Sequence, residues 1–93
     1  MADKQSYERM VQGKIREIDA ELEKLRAKAQ QEQAKAEMRQ DMQDLESRRR
    51  ELESKLEKLR RSGEDAWTEL KAGLDQAMTD IKSGFERARR RFE

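Results

Sequence analysis

Ninety-three residues, 46% of them charged and only 33% hydrophobic, cannot enclose a large globular core, so one elongated unit is expected. The 22 basic residues nearly cancel the 21 acidic ones, which argues against disorder driven by self-repulsion and against a primary task of coating nucleic acid. With no cysteine and no histidine, thiolate nucleophiles, disulfides, Cys or His zinc sites and imidazole bases are all excluded.

Proline is absent, and Ala, Glu, Lys, Arg, Gln and Leu are abundant, a composition that points to helix. The opening Met1, Ala2, Asp3, Lys4, Gln5, Ser6 is polar with no apolar run behind it. Neither a signal peptide nor a transmembrane span is expected, and a cytoplasmic location follows by default.

Tyr7, Val11, Ile15, Ile18, Leu22, Leu25 and Ala29 step by three or four residues and form one apolar stripe on a helix. Ser6 offers a partial start signal, weakened by Arg9 where a capping box has an acid. With Ile15 and Leu22 at heptad position a, Ile18 and Leu25 fall at d. Lys14 and Glu21 at g would then face Asp19 and Arg26 at the next e of a parallel partner. Exposed pairs of this kind contribute only about 0.2 to 1 kcal/mol each.

Across residues 27–40 the stripe thins to alanine and glutamine, but no Gly or Pro interrupts it. The segment reads as a weakly packed middle of one helix over residues 5–61, roughly 85 Å long at 1.5 Å per residue. The alternative is a helical hairpin bending near residues 30–33, through a turn lacking every usual turn residue.

Met38, Met42, Leu45, Leu52, Leu56 and Leu59 restore the stripe, one residue out of step with the first, so no single seam covers the whole helix. Arg49 lands at an a position of this second seam. The pairs Asp44 with Arg48, Glu46 with Arg50, Glu51 with Lys55 and Glu57 with Arg61 run acid first, the favourable order at this spacing. Residues 1–61 thus read as a long charged coiled-coil helix.

Ser62, Gly63, Glu64, Asp65 is the one punctuation mark. Serine suits an N-cap, Asp65 stands where a capping box places its acid, and Arg60 and Arg61 suit the end of the preceding helix. The competing reading is a continuous helix softened at Gly63. Residues 62–93 then form an amphipathic helix with Trp67, Leu70, Leu74, Met78, Ile81, Phe85, Ala88 and Phe92 on one face. Burying those side chains is worth on the order of 10 to 20 kcal/mol as an upper bound, so the face must lie on something. The run from Ala66 to Leu74 recurs eleven positions on from Ala77 to Phe85, and an eleven-residue period keeps the stripe nearly straight. Such stripes also occur on lipid-surface helices, although the acids Glu64, Asp65, Glu69, Asp75, Asp80 and Glu86 would repel anionic headgroups.

Gly73 and Gly84, one repeat apart, stand open to two readings: a close approach by a neighbouring helix, or small residues tolerated on a flank. The triplets Arg48, Arg49, Arg50 and Arg89, Arg90, Arg91 read as solvated, salt-bridged faces, the first interleaved with acids and the second at a helix end that favours cations. Carboxylate pairs such as Glu17 with Glu21 share a face, but without a pocket to desolvate them they are not an acid-base site.

The block Ser62, Gly63, Glu64, Asp65, Ala66, Trp67, Glu69, Leu70, Lys71, Gly73, with Met1, Ala2, Asp3, Lys4 and Tyr7 at the start, resembles a family of short bacterial coiled-coil proteins labelled as stress-response proteins. The resemblance implies a helical, non-enzymatic protein with no catalytic, cofactor or metal residues. The expectation is therefore all-α: a long coiled-coil helix, then a shorter helix folding back antiparallel on residues 38–59, in a homo-oligomeric bundle. Ile15 to Leu25 would be left for a second chain. The coiled-coil seam is Ile15, Ile18, Leu22, Leu25, Met42, Leu45, Leu52, Leu56 and Leu59; the interaction face is Trp67, Leu70, Leu74, Met78, Ile81, Phe85 and Phe92. The partner is the chain itself, with a membrane surface as the alternative.

Overall fold

The computed structural model describes residues 3–31 and 36–92, for Phe92 the backbone alone, and all of its regular structure is helical. Helix α1 is Lys4–Gln31, α2 is Ala36–Arg61 and α3 is Trp67–Phe92. They pack side by side, α2 antiparallel to both neighbours, in a body 48 × 19 × 17 Å.

Two helices thus replace the single helix expected over residues 5–61, whose rod would not fit in a 48 Å body. The physical reason lies in the one-residue slip between the stripes. One residue is about 100° around a helix, so an unbroken helix would aim its two apolar faces in different directions and no one partner could cover both. Folding α1 back on α2 lets them share one core instead. The bend considered near residues 30–33 falls partly on residues 32–35, outside the described residues. Tyr7, Val11, Ile15, Ile18, Leu22, Leu25 and Ala29 of α1 are all buried within the same chain and not reserved for a second one.

The start of α1 is capped by Asp3 and not by Ser6. The Ser6 amide donates to Asp3 Oδ1 at 2.7 Å and the Tyr7 amide to the Asp3 carbonyl at 3.0 Å. That bond from the Ser6 amide holds the Asp3 carboxyl below its ordinary range.

The chain turns after α2, as the Ser62 and Gly63 break suggested, but the serine works on the helix behind it. The Ser62 hydroxyl donates to the Leu59 carbonyl at 2.6 Å and its amide to the same oxygen at 3.1 Å, closing the end of α2. Lys4 reaches across from α1, its Nζ donating to the carbonyls of Arg60 at 2.9 Å and Ser62 at 2.5 Å. These are the orphan carbonyls of a helix end, where a cation is favoured. The first turn into α3 is carried by the Gly63 carbonyl, which accepts from the Ala66 and Trp67 amides at 3.2 and 3.3 Å.

Every residue of the expected seam is buried, and Leu45, Leu52, Leu56, Leu59, Leu74, Ile81 and Val11 are almost inaccessible. Of the expected face on α3, Trp67, Leu74, Ile81, Phe85 and Ala88 are buried, and Leu70 and Met78 are partly buried against the same core. The side chain of Phe92 lies outside the described residues.

Charged side chains tie the helices together inside one chain, in place of the parallel pairing expected across two. Asp19 accepts two bonds from Arg49, at 2.8 and 3.1 Å, and Arg49 also meets Glu53. Arg26 meets Glu46 at 2.7 Å, which draws Glu46 away from Arg50. Arg91 of α3 meets Glu37 at 2.9 Å and the buried Oδ2 of Asp41 at 2.7 Å, the latter a charge contact not aligned as a hydrogen bond. Of the acid-first pairs within α2, Asp44 with Arg48 closes at 2.9 Å and Glu57 with Arg61 at 3.6 Å. Half-exposed pairs like these stabilise little, but they fix which residues stand opposite one another.

The two repeat glycines separate cleanly. A Cβ on Gly84 would lie 2.8 Å from Leu45 Cδ2, so α2 approaches α3 closely there, whereas a Cβ on Gly73 would meet nothing within 4 Å. Gly73→Ala is expected to raise stability by roughly 0.5 to 1 kcal/mol through helix propensity. Gly84→Ala forces the packed Leu45 to shift, and is expected to lower stability by about 1 kcal/mol. Thermal melts by circular dichroism of the two variants check the contrast.

Candidate functional site

The three seams of the bundle are not equally closed. Helix α2 packs along both α1 and α3, while α1 and α3 meet mainly at two clamps. At the first clamp Tyr7 is buried, with its ring 6.0 Å from that of Trp67 and Lys71 Nζ 5.4 Å from its centroid. Its hydroxyl donates to Asp75 Oδ1 at 2.6 Å, and the Lys71 carbonyl lies 3.3 Å from the same hydroxyl. At the second clamp Arg89 Nη2 meets Glu21 Oε2 at 3.2 Å.

Between the clamps runs an open groove of about 560 Å³. Ile18 from α1 and Met78, Ile81 and Phe85 from α3 form its floor, with Met10 at one end. Met10 is 41% exposed, the one large hydrophobic residue so exposed among the described residues. Lys14, Glu17 and Glu21 line the α1 rim; Asp75, Thr79, Lys82, Glu86 and Arg89 line the α3 rim. A second recess of about 630 Å³ is lined by Asp3, Lys4, Gln5, Glu8, Arg60 and Glu64, polar side chains alone. The groove is distinguished by its apolar floor, the property that ligand and partner sites share.

Sequence reasoning placed Met78, Ile81 and Phe85 on an interaction face and Ile18 in a seam, and the groove brings these four together. The remaining seam residues, with Trp67 and Leu74 of the face, are packed inside the bundle, and Leu70 lies partly buried against them. Lys14, Glu17, Lys82 and Glu86 were missed as a group, because each reads as ordinary solvated helix surface until α1 and α3 are set side by side. Glu17 and Glu21 do share a face, but the Glu17 side chain is 70% exposed and Glu21 is engaged with Arg89. Among the described residues no group of three or more acids is arranged to hold a metal ion, and no helix is long and apolar enough to cross a membrane.

No protein-family model, curated protein or solved structure matches this chain. The reading of the groove accordingly rests on its own geometry.

The Tyr7 clamp yields a pH dependence. Burial first, then the hydrogen bond to Asp75 and its charge, push the Tyr7 phenol above the ordinary value of 10.0. An unfolded tyrosine therefore loses its proton at lower pH than the folded one, which favours unfolding as pH rises. The stability contributed by this clamp is complete below pH 10 and declines above it. Tyr7→Phe removes the titrating group, and is expected to lower stability near neutral pH by about 1 kcal/mol and to flatten the loss above pH 10. Urea unfolding of both proteins at pH 8 and pH 11 measures both effects.

Proposed function

We propose that this chain is a non-enzymatic helical interaction protein that acts by self-association and serves in a cytoplasmic stress response, as the coiled-coil proteins it resembles suggest. The observation that carries self-association is the groove between α1 and α3. The bundle has used its other apolar stripes to build its own core, and this seam keeps an exposed methionine and an apolar floor between charged rims. A second protein surface over this seam removes the apolar area that remains, chiefly that of Met10 and Met78, from water at roughly 25 cal/mol per Å².

The burial of Trp67, Leu74, Ile81 and Phe85 bears on the rival reading, binding to a lipid surface through the apolar face of α3. Lipid could reach that face only after α3 lifted off α2, exposing the stripe that holds the bundle together. Self-association requires no such opening.

Sedimentation velocity over a hundredfold range of concentration is expected to show the mean sedimentation coefficient rising reversibly from that of a compact monomer toward that of a dimer. A single monomeric species throughout would remove the proposal. Pelleting with anionic vesicles, with the circular dichroism of the closed bundle lost on binding, would favour the lipid reading instead.

A further inference from the structure

The charges along the groove are sorted, and the sorting selects an occupant. Tyr7 with Asp75 and Glu21 with Arg89 are each 68 residues apart, so a residue of α1 stands level with the residue 68 positions later on the parallel helix α3. In this register Lys14 is level with Lys82, while Glu86 falls between the levels of Glu17 and Glu21. The two lysines therefore flank the groove at one level, and the three acids flank it about one helical turn further along. The groove is bipolar along its length.

We infer that the α1/α3 groove is the contact face of an antiparallel homodimer, in which a second copy of this chain lies face to face across a two-fold axis perpendicular to the helices. Such an axis, passing between the lysine level and the acid level, sets Lys14 and Lys82 of each copy over Glu17, Glu21 and Glu86 of the other. An axis along the helices would superpose lysines on lysines and acids on acids, which is repulsive. Asp75 and Arg89, the other charged residues at the two ends of the lining, are engaged within the chain by the Tyr7 and Glu21 clamps. A two-fold contact must be self-complementary, with each residue meeting the residue that meets it in return, and a bipolar groove fulfils that condition with a copy of itself.

Strength follows from the same surface. Ile81 is 1% exposed and Phe85 5%, so most of the floor is already covered within one chain, and Met10 and Met78 supply most of what remains. A standard interface takes about 800 Å² from each partner, roughly an eighth of this chain's 6564 Å². With little apolar area left to bury, charge selects the orientation and contributes much of the attraction. The dimer is accordingly weak and salt-sensitive, because exposed charges are screened over about 10 Å at 0.1 M salt and about 3 Å at 1 M.

This inference rests on the self-association reading, and a charge-exchange experiment separates the two. The double variant Lys14→Glu with Lys82→Glu leaves Arg89 as the one basic residue of the lining, and Glu17→Lys with Glu86→Lys makes the groove largely basic. All four positions are exposed rim residues outside the core, and Glu21 and Arg89 are left in place to hold the second clamp. Each double variant alone is expected to dimerise at least tenfold more weakly than the parent chain in low salt. An equimolar mixture is expected to regain dimer as a heterodimer, detected by sedimentation with one variant carrying a fluorophore, and to lose it near 1 M salt. Circular dichroism checks that both variants remain folded. If the parent chain dimerises and both variants dimerise equally well, or if mixing folded variants restores nothing, the groove is not the interface and this inference is overturned while self-association stands. A parent chain that stays monomeric overturns both.

Discussion

The leucine stripe of α2 is the interaction on which the rest of the molecule depends. Leu45, Leu52, Leu56 and Leu59 are almost completely removed from water, and each such burial is worth roughly 1.5 to 3 kcal/mol. A chain with so few apolar residues has no second core to fall back on. Both α1 and α3 must lie on this one stripe, and they run parallel to each other because each is antiparallel to α2. Their own seam is left to be closed by what their facing side chains provide, which is a clamp at each end and a groove between.

The clamps differ in character, and so in what they contribute. Tyr7 brings an aromatic ring, a buried hydroxyl and a carboxylate partner to the end where Lys4 also secures the last carbonyls of α2. Three segments of chain converge there, which makes it the better fastened end of the bundle. Glu21 with Arg89 is a more exposed ion pair, of the kind that sets register more than stability. The groove inherits its shape from the space between these fixed points. Its charge order follows from the register they impose.

The apolar stripes were legible in the sequence because helical periodicity is a local property: every seam residue from Ile15 to Leu59 is buried, as its spacing implied. The return of α3 along α2 was legible too, through the serine-glycine break. The hairpin between α1 and α2 was not, because strong helix formers run through residues 27–40 and propensity says nothing about where a helix would do better to end. The relevant signal was the one-residue slip between stripes, which is a statement about tertiary burial. Asp3 was not legible as the cap because Ser6, three residues later, is a residue type equally suited to an N-cap. Gly73 and Gly84 occupy equivalent places in the repeat, and only the neighbouring Leu45 tells them apart. The groove could not be read from one helix at a time, since its pattern lies in the register between two.

The central claim is that α1 folds back on α2 within one chain. The sequence has no cysteine, so the double variant Arg16→Cys with Ser54→Cys can carry two spin labels at exposed, level positions on the facing helices, and pulsed electron paramagnetic resonance reads the distance between them. With labelled chains diluted in unlabelled ones, the closed bundle predicts a distance on the scale of its 19 × 17 Å cross-section, plus the reach of the labels. A distance near 57 Å, the length of an unbroken helix between those positions at about 1.5 Å per residue, would contradict it.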